Sequence, residues 1–207
     1  SQLVEYGSGG SAVTAVADSG YYFVDWSDGS TDNPRTDTGV MGNVAVTANF
    51  EIDPPLSDLA NTEITLLGTV SAGAITDTHT SDNTYQILTE TESGGKRNRR
   101  RSQLEHKWIF DVTGGELVTF FVEAHHTVNA EGDDFLFSYS TDDINYTDML
   151  TVTKTADDDS SNFFVLPGDL SGTVYVRVVD TDRTQGNMGL DSLYVDSLFI
   201  VSETATE

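Results

Sequence analysis

The sequence predicts an all-β protein with two domains, and three observations support this fold class. Apolar and polar residues alternate over short runs, which is typical of half-buried strands, and neither half of the chain offers a convincing amphipathic helix. Gly, Asp, Asn and Ser separate these runs, as turns require. Two adjacent prolines, Pro54 and Pro55, form a stiff, extended break. We therefore expect a domain over 1–51, a linker over 52–57 and a larger domain over 58–207.

Composition limits the partners of the chain. The 207 residues include 10 Lys+Arg against 34 Asp+Glu, a formal net charge of −24. Nucleic acids and anionic membranes require a basic surface, so this balance argues against both and suits a protein kept soluble in a salty medium or one that binds cations. The sequence contains no run of about 20 apolar residues, so membrane insertion is not expected. Without cysteine, a thiol nucleophile is excluded.

The first domain shows strand periodicity followed by a turn. Tyr22, Val24 and Trp26 alternate with the residues between them, and 27–30 read Ser-Asp-Gly-Ser, a turn in which glycine supplies a positive φ. A second alternating strand leads to Phe50. So small a domain needs all of its large side chains, so we expect its core to contain Tyr22, Phe23, Trp26 and Phe50. Stacking of Trp26 on a sugar is the alternative.

These residues also carry a family resemblance. The order Tyr21-Tyr22-Phe23-x-x-Trp26-Ser27-Asp28-Gly29 after Gly20, then Arg35 and Val46-Thr47-Ala48-Asn49-Phe50, resembles the divergent internalin B repeat of bacterial surface and secreted proteins. The resemblance implies a small β-grasp-like spacer between larger modules of an exported polypeptide. It implies a secreted or cell-surface location with flanking domains, and since Ser1 is no natural start we expect the chain to be a fragment of a longer precursor.

The second domain offers short β-rich runs throughout. So many strands in so short a segment predict an antiparallel β-sandwich, most simply a jelly roll. The candidate strands are Glu63–Val70, Thr84–Glu90, His106–Val112, Leu117–His125, Phe135–Ser140, Met149–Lys154, Asn162–Leu166, Val174–Val179 and Leu193–Val201.

This domain is similar to a second group of modules. The segments Leu104-Glu105-His106-Lys107-Trp108, Gly132-Asp133-Asp134-Phe135 and Leu190-Asp191-x-x-Tyr194-Val195-Asp196 resemble uncharacterised jelly-roll appendages of secreted microbial hydrolases and proteases. The resemblance implies an accessory module attached to a catalytic or adhesive part. For such modules, carbohydrate binding is inferred by analogy of fold.

Acidic residues of two loops form a candidate calcium site. One loop precedes a predicted strand and contains Glu131, and the other follows a strand and runs through Gly186. Calcium takes several carboxylate and carbonyl oxygens from such loops, whereas solvated turns are the alternative. The predicted ligands are Asp133, Asp134, Asp180, Asp182 and Asp191. The run Asp157-Asp158-Asp159 is instead predicted to be a solvated loop.

Outward-facing side chains form a candidate sugar-binding face. Valines 174, 176 and 178 share one face of their strand, so Tyr175 and Arg177 share the other. In the last strand we expect Leu193, Val195, Phe199 and Val201 to face inward. Aromatic rings flanked by polar groups suit a sugar, although an ordinary polar outer face is the alternative. The predicted ligand-binding residues are Tyr175, Arg177, Tyr194, Asp196, Glu123 and His125.

Other chemistry is weakly indicated. His106 shares a strand face with Trp108 and Phe110, which predicts a hydrogen-bonded core position. The basic residues of 96–101 suit charge compensation, an anionic ligand or a protease-sensitive loop. No nucleophile elbow, zinc motif or phosphate loop occurs. We therefore expect a non-catalytic, calcium-stabilised module that binds a polysaccharide or cell-surface glycan. The alternatives are a spacer or adhesin segment and a small glycoside hydrolase.

Overall fold

A computed structural model of the chain describes residues 1–18, 21–52, 56–128 and 131–203. These residues divide into two units, 1–52 and 56–203. Gly20 of the repeat, residues 53–55 of the predicted linker and the last four residues of the predicted second domain lie outside the described residues. None of the described helices has the length and apolar character that a membrane crossing requires.

In its described residues, the first unit contains one antiparallel pair of strands, β1 (Tyr21–Trp26) and β2 (Ala48–Ile52). A register shift between Phe23 and Asp25 marks a bulge in this pair. Strict alternation would place Phe23 and Trp26 on opposite faces, but the bulge brings their rings into edge contact, with centroids 5.6 Å apart.

Trp26 is the centre of this unit. It is 5% exposed, whereas Tyr22 and Phe50 are 41% and 38% exposed, so the core is built around Trp26 rather than shared equally by four aromatic residues. The guanidinium of Arg35 lies 5.2 Å from the Trp26 ring centroid and donates to both carboxylate oxygens of Asp28 at 3.1 and 3.0 Å. The repeat therefore spaces these residues so that the Arg35 fork covers the indole and closes the turn.

The second unit is an antiparallel β-sandwich. Its strands are β3 (Leu56–Leu59), β4 (Thr62–Leu67), β5 (Thr69–Ala72), β6 (Gln86–Thr89), β7 (Thr91–Glu92), β8 (Ser102–Gln103), β9 (Glu105–Val112), β10 (Leu117–His126), β11 (Phe135–Ser140), β12 (Thr147–Val152), β13 (Asn162–Leu166), β14 (Gly172–Asp180) and β15 (Ser192–Glu203). In the described residues, one sheet has six strands in the order β13-β10-β15-β6-β5, with β3 also paired to β15, and the other has five in the order β12-β11-β14-β9-β4. A short pair, β7 and β8, lies apart.

One predicted strand is divided between the two sheets. The run Glu63–Val70 becomes β4 in the five-stranded sheet and β5 in the six-stranded sheet, with Gly68 between them. Gly68 has φ 87°, and a Cβ there would lie 2.7 Å from the carbonyl oxygen of Thr89. Only glycine allows this left-handed conformation and this close approach, so the chain changes sheets at that residue. The strand β3 also begins inside the predicted linker.

The core between the sheets is aromatic. Trp108 and Phe137 stack at 5.9 Å with an interplanar angle of 8°, and Phe110 and Phe120 are fully buried with them. His106 belongs to the same core, as predicted, and its Nδ1 lies 2.9 Å from Thr65 Oγ1.

The inward face of the last strand differs from the prediction. A register shift in the β10–β15 pairing leaves Asp196 without an opposite residue on β10. From that bulge onward Leu198 and Ile200 are fully buried, while Phe199 stacks on Phe121 on the outer face. The expectation that Phe199 and Val201 face inward was wrong because one extra residue reverses the faces of a strand.

Candidate functional site

Buried carboxylates converge at one end of the sandwich. Glu90 follows β6 of the six-stranded sheet, whereas Asp133 precedes β11 and Asp180 ends β14 of the five-stranded sheet. One carboxylate oxygen from each lies within 4.8 Å of the other two. A second group shares Asp133 and adds Glu131 and Asp182 under the same distance. The cluster therefore connects the two sheets.

Glu90 and Asp180 of this cluster are buried and only partly hydrogen-bonded. Glu90 and Asp180 are 3% and 2% exposed. The backbone N–H of Asp191 donates to Glu90 Oε2 at 2.8 Å, and that of Asp182 donates to Asp180 Oδ1 at 2.8 Å. The second oxygen of each, Glu90 Oε1 and Asp180 Oδ2, has no hydrogen-bond partner within the described part of the chain. Such buried anionic oxygens are destabilising unless a proton or a cation neutralises them.

The electrostatics of the cluster reflect this crowding. Burial, reinforced by the charges of Asp180 and Asp133, raises the pKa of Glu90 to about 8. Burial also raises the pKa of Asp180 to about 6, with the nearby charge of Asp133 contributing. Both raised pKa values mean that Glu90 and Asp180 tend to keep their protons when no cation neutralises the buried carboxylates.

The predicted ligands are distributed unevenly around this cluster. Asp133, Asp180 and Asp182 are brought together. Asp191 lies beside them, 1% exposed, and its Oδ1 accepts a 2.8 Å hydrogen bond from Thr127. Asp134 is directed toward His126, with Oδ1 3.4 Å from Nε2.

The list of predicted ligands omitted Glu90 and Glu131. Glu90 lies two residues after Leu88 and four after Gln86, on the inward face of the same run. A carboxylate at a core-facing position is unusual, so the alternation in the sequence could have identified Glu90 as a candidate ligand. Glu131 joins the two acidic loops, because its carboxylate accepts the backbone N–H groups of Met188 and Gly189 at 2.9 and 3.0 Å.

The six predicted sugar-binding residues do not share one surface. Tyr175 and Arg177 lie on β14, on the outer face of the five-stranded sheet. The other four belong to β10 and β15 of the six-stranded sheet, and these are Glu123, His125, Tyr194 and Asp196. The outer faces of two packed sheets point in opposite directions, so no single groove combines all six.

The outer face around Tyr175 combines rings and fixed charges. The guanidinium of Arg177 lies 3.8 Å above the ring centroid of Tyr146, and Lys107 Nζ lies 6.0 Å from that of Tyr175. Lys107 also donates to both carboxylate oxygens of Asp143, at 2.7 and 2.9 Å. Hydrogen bonds from Lys107 and Tyr146 lower the pKa of Asp143, so this carboxylate stays ionised.

The outer face around Tyr194 is more enclosed. The rings of His125 and Tyr194 stack with centroids 4.8 Å apart, and Tyr85 contacts both edge-on. Glu123 and Asp196 are 4% and 1% exposed, so neither carboxylate is open to a sugar in this structure.

The basic segment 96–101 is partly compensated by its neighbours. Arg100 Nη1 lies 3.2 Å from Glu92 Oε2, and Arg101 Nη1 donates to the carbonyl oxygen of Arg183 at 3.5 Å. Residues 97–99 form an exposed 3-10 turn.

The fold and the acidic cluster define a two-unit all-β protein in which a β-sandwich carries buried carboxylates at one end. Residues 2–54 match the family model described as a divergent InlB B-repeat domain, which confirms the resemblance seen in the sequence of the first unit. No curated protein matches the chain.

Several solved structures resemble the chain at low similarity. TmCBM61 in complex with β-1,4-galactotriose has 11% identity and a TM-score of 0.33, over 56% of this chain and 82% of that one. A substituted CBM29-2 in complex with mannohexaose has 10% identity and a TM-score of 0.31, over 69% and 93%. A further family 29 carbohydrate-binding module has 11% identity and a TM-score of 0.26, over 69% and 90%. TM-scores this far below 0.5 do not assign a ligand to this chain.

Proposed function

We propose that the sandwich is a non-catalytic, calcium-stabilised module that binds polysaccharide for a secreted or cell-surface bacterial protein. The observation that carries the proposal is the outer face of the five-stranded sheet, where Tyr175 and Tyr146 lie beside Arg177 and Lys107. Aromatic rings can cover the apolar C–H face of a pyranose, and the adjacent charged groups can bond its hydroxyls.

The polar groups of this face are held in place before any ligand binds. Asp143 fixes Lys107 through a two-oxygen contact, and Glu105 Oε1 lies 3.5 Å from Arg177 Nη1. Side chains already ordered in the free protein lose little conformational entropy on binding. The low entropy cost supports the proposal that this face binds a flexible polymer through few contacts.

In this proposal, calcium is held at the end of the sandwich by Glu90, Asp133 and Asp180, with Glu131 and Asp182 completing the ligand set. Hard divalent cations take oxygen ligands of this kind, and Glu90 and Asp180 each keep one buried oxygen without a hydrogen-bond partner among the described residues. The ion would neutralise the buried charges and connect the two sheets. Its role is structural, because Glu90, Asp133 and Asp180 are buried and closed to a substrate.

Two other functions make different predictions. A spacer or adhesin segment is favoured by the repeat match over residues 2–54, and it needs no sugar-binding face. A small hydrolase needs a carboxylate pair open to substrate, whereas Glu90 and Asp180 are almost fully buried.

Retention on insoluble polysaccharides, together with a glycan array, tests the proposal. Tyr175→Ala removes a ring from the five-stranded sheet and should weaken binding by about fivefold, since one aromatic contact contributes about 1 kcal/mol. Tyr194→Ala removes a matched ring from the opposite sheet and should leave binding unchanged. Loss of binding in Tyr194→Ala alone would move the site to the other face. No binding by the unsubstituted protein to any glycan would favour the spacer.

A further inference from the structure

A second group of carboxylates lies on the outer face of the six-stranded sheet. Glu123 comes from β10, while Asp157 and Asp159 come from the segment between β12 and β13. One carboxylate oxygen from each lies within 4.8 Å of the other two. This group has no residue in common with the cluster around Glu90 and Asp180.

The carboxylate of Glu123 is buried and lacks a donor for one oxygen. Its Oε2 is 3.5 Å from Ser197 Oγ, whereas Oε1 is inaccessible and has no hydrogen-bond partner in the described ranges. Asp196, on the neighbouring strand, is also buried, and its Oδ2 likewise has no partner among those residues. An anionic oxygen buried in this way is destabilising unless a proton or a cation neutralises it.

The nearest basic side chain of this segment does not supply that charge. Lys154 donates to Asp158 Oδ1 and to the carbonyl oxygen of Ser160, each at 2.7 Å. Of the three consecutive aspartates, the middle one is therefore paired with Lys154, and the outer two accompany Glu123. The hydroxyl of Tyr85 donates to Asp157 Oδ2 at 2.7 Å and orients that carboxylate.

We propose that Glu123, Asp157 and Asp159 form a second divalent-cation site that takes calcium. Calcium binds oxygen at about 2.4 Å, so two ligands of one ion lie at most about 5 Å apart, and the three oxygens of this group, all within 4.8 Å of one another, are close enough to share one ion. Magnesium demands shorter and more regular coordination. Because Asp159 is exposed, water can complete the coordination shell. The ion would fasten the segment 153–161 to β10.

The test is calcium binding by the full chain after removal of metal with a chelator. Isothermal titration should show two classes of bound calcium, and Glu123→Gln and Asp159→Asn should each remove one class or weaken it at least tenfold. Asp158→Asn is the matched control, because its carboxylate is paired with Lys154, and it should bind as the unsubstituted protein does. Repeating the set in the Asp180→Asn background keeps the result independent of the first cation site.

Terbium luminescence provides a second readout. Terbium has calcium-like oxygen preferences, and its emission is sensitised by a nearby tyrosine, here Tyr85. Emission should fall in Asp159→Asn and in Tyr85→Phe but not in Asp158→Asn, and calcium should displace terbium more effectively than magnesium. Unchanged calcium stoichiometry and affinity in Asp159→Asn would overturn the proposal. Because Asp159 is exposed, that variant decides the matter even if Glu123→Gln fails to fold.

Discussion

Glu90 and Asp180 bring carboxylate oxygens within 4.8 Å of each other although they follow strands of different sheets. Both side chains are buried, and each keeps one oxygen without a hydrogen-bond donor among the described residues. Two such groups repel each other unless a proton or a cation lies between them. The stability of the sandwich is therefore expected to depend on what occupies this end.

The first prediction concerns calcium at this end. At a hundredfold excess over its Kd, calcium should raise the free energy of unfolding by about 2.7 kcal/mol, because it binds only the native state. Thermal unfolding in the Asp159→Asn background isolates this cluster from the second site. There, Asp180→Asn together with Asp182→Asn should abolish the effect, while Asp134→Asn, directed toward His126, should preserve it. Identical melting temperatures with calcium and with chelator would contradict the prediction.

The second prediction concerns acid. Burial lowers the pKa of His106 from 6.5 to about 4. Between these values the unfolded chain binds a proton at this residue and the folded chain does not, so the free energy of unfolding falls as the pH decreases through that window. We expect His106→Gln to remove up to about 3 kcal/mol of this change. Urea unfolding of the unsubstituted protein and of His106→Gln, at about pH 7 and about pH 4.5, measures this change in the free energy of unfolding. An equal change in the two proteins would refute the prediction.

The third prediction concerns the repeat. The chain has two tryptophans, and the indole N–H of Trp26 donates to the carbonyl oxygen of Asp32, while that of Trp108 donates to Gln86 Oε1. Arg35→Lys removes the fork that covers Trp26 and should speed hydrogen exchange of its indole. Exchange at Trp108 should not change, which makes it an internal control in the same NMR spectrum. Equal acceleration at both indoles would mean that the effect is not local.

The fourth prediction tests the bulge in the last strand. Ile200 is fully buried in the core, whereas its neighbour Val201 lies on the outer face and is only half-buried. Ile200→Ala should cost about 2–5 kcal/mol through the lost contacts and the cavity, and Val201→Ala about 1 kcal/mol or less. Chemical denaturation of the two variants compares them. If Val201→Ala lost more free energy of unfolding than Ile200→Ala, the result would favour the register without a bulge that simple alternation predicts.

Much of the fold could be predicted because strands leave a period of two in the sequence. The segments Phe135–Ser140 and Asn162–Leu166 form strands with those bounds, and Val174, Val176 and Val178 face the core as their alternation indicates. The repeat around Trp26 could be recognised because its turn and its Arg35 contact depend on residues close in the chain. Asp133, Asp180 and Asp182 could be identified as a group because loops at strand ends collect at one edge.

Other features depended on contacts between distant segments. Alternation marks Glu90 as core-facing and Glu123 as an ordinary outer-face carboxylate, and only the packing of sheets and loops brings each beside other acids. Alternation also cannot reveal an extra residue, so the bulge at Asp196 reversed the faces of Leu198 and Phe199. Nor could it reveal that Tyr175 and Tyr194 lie in different sheets, because strand order is decided by which distant segments pair. The sequence by itself determined the local strands and turns, and tertiary structure decided which charges share a site.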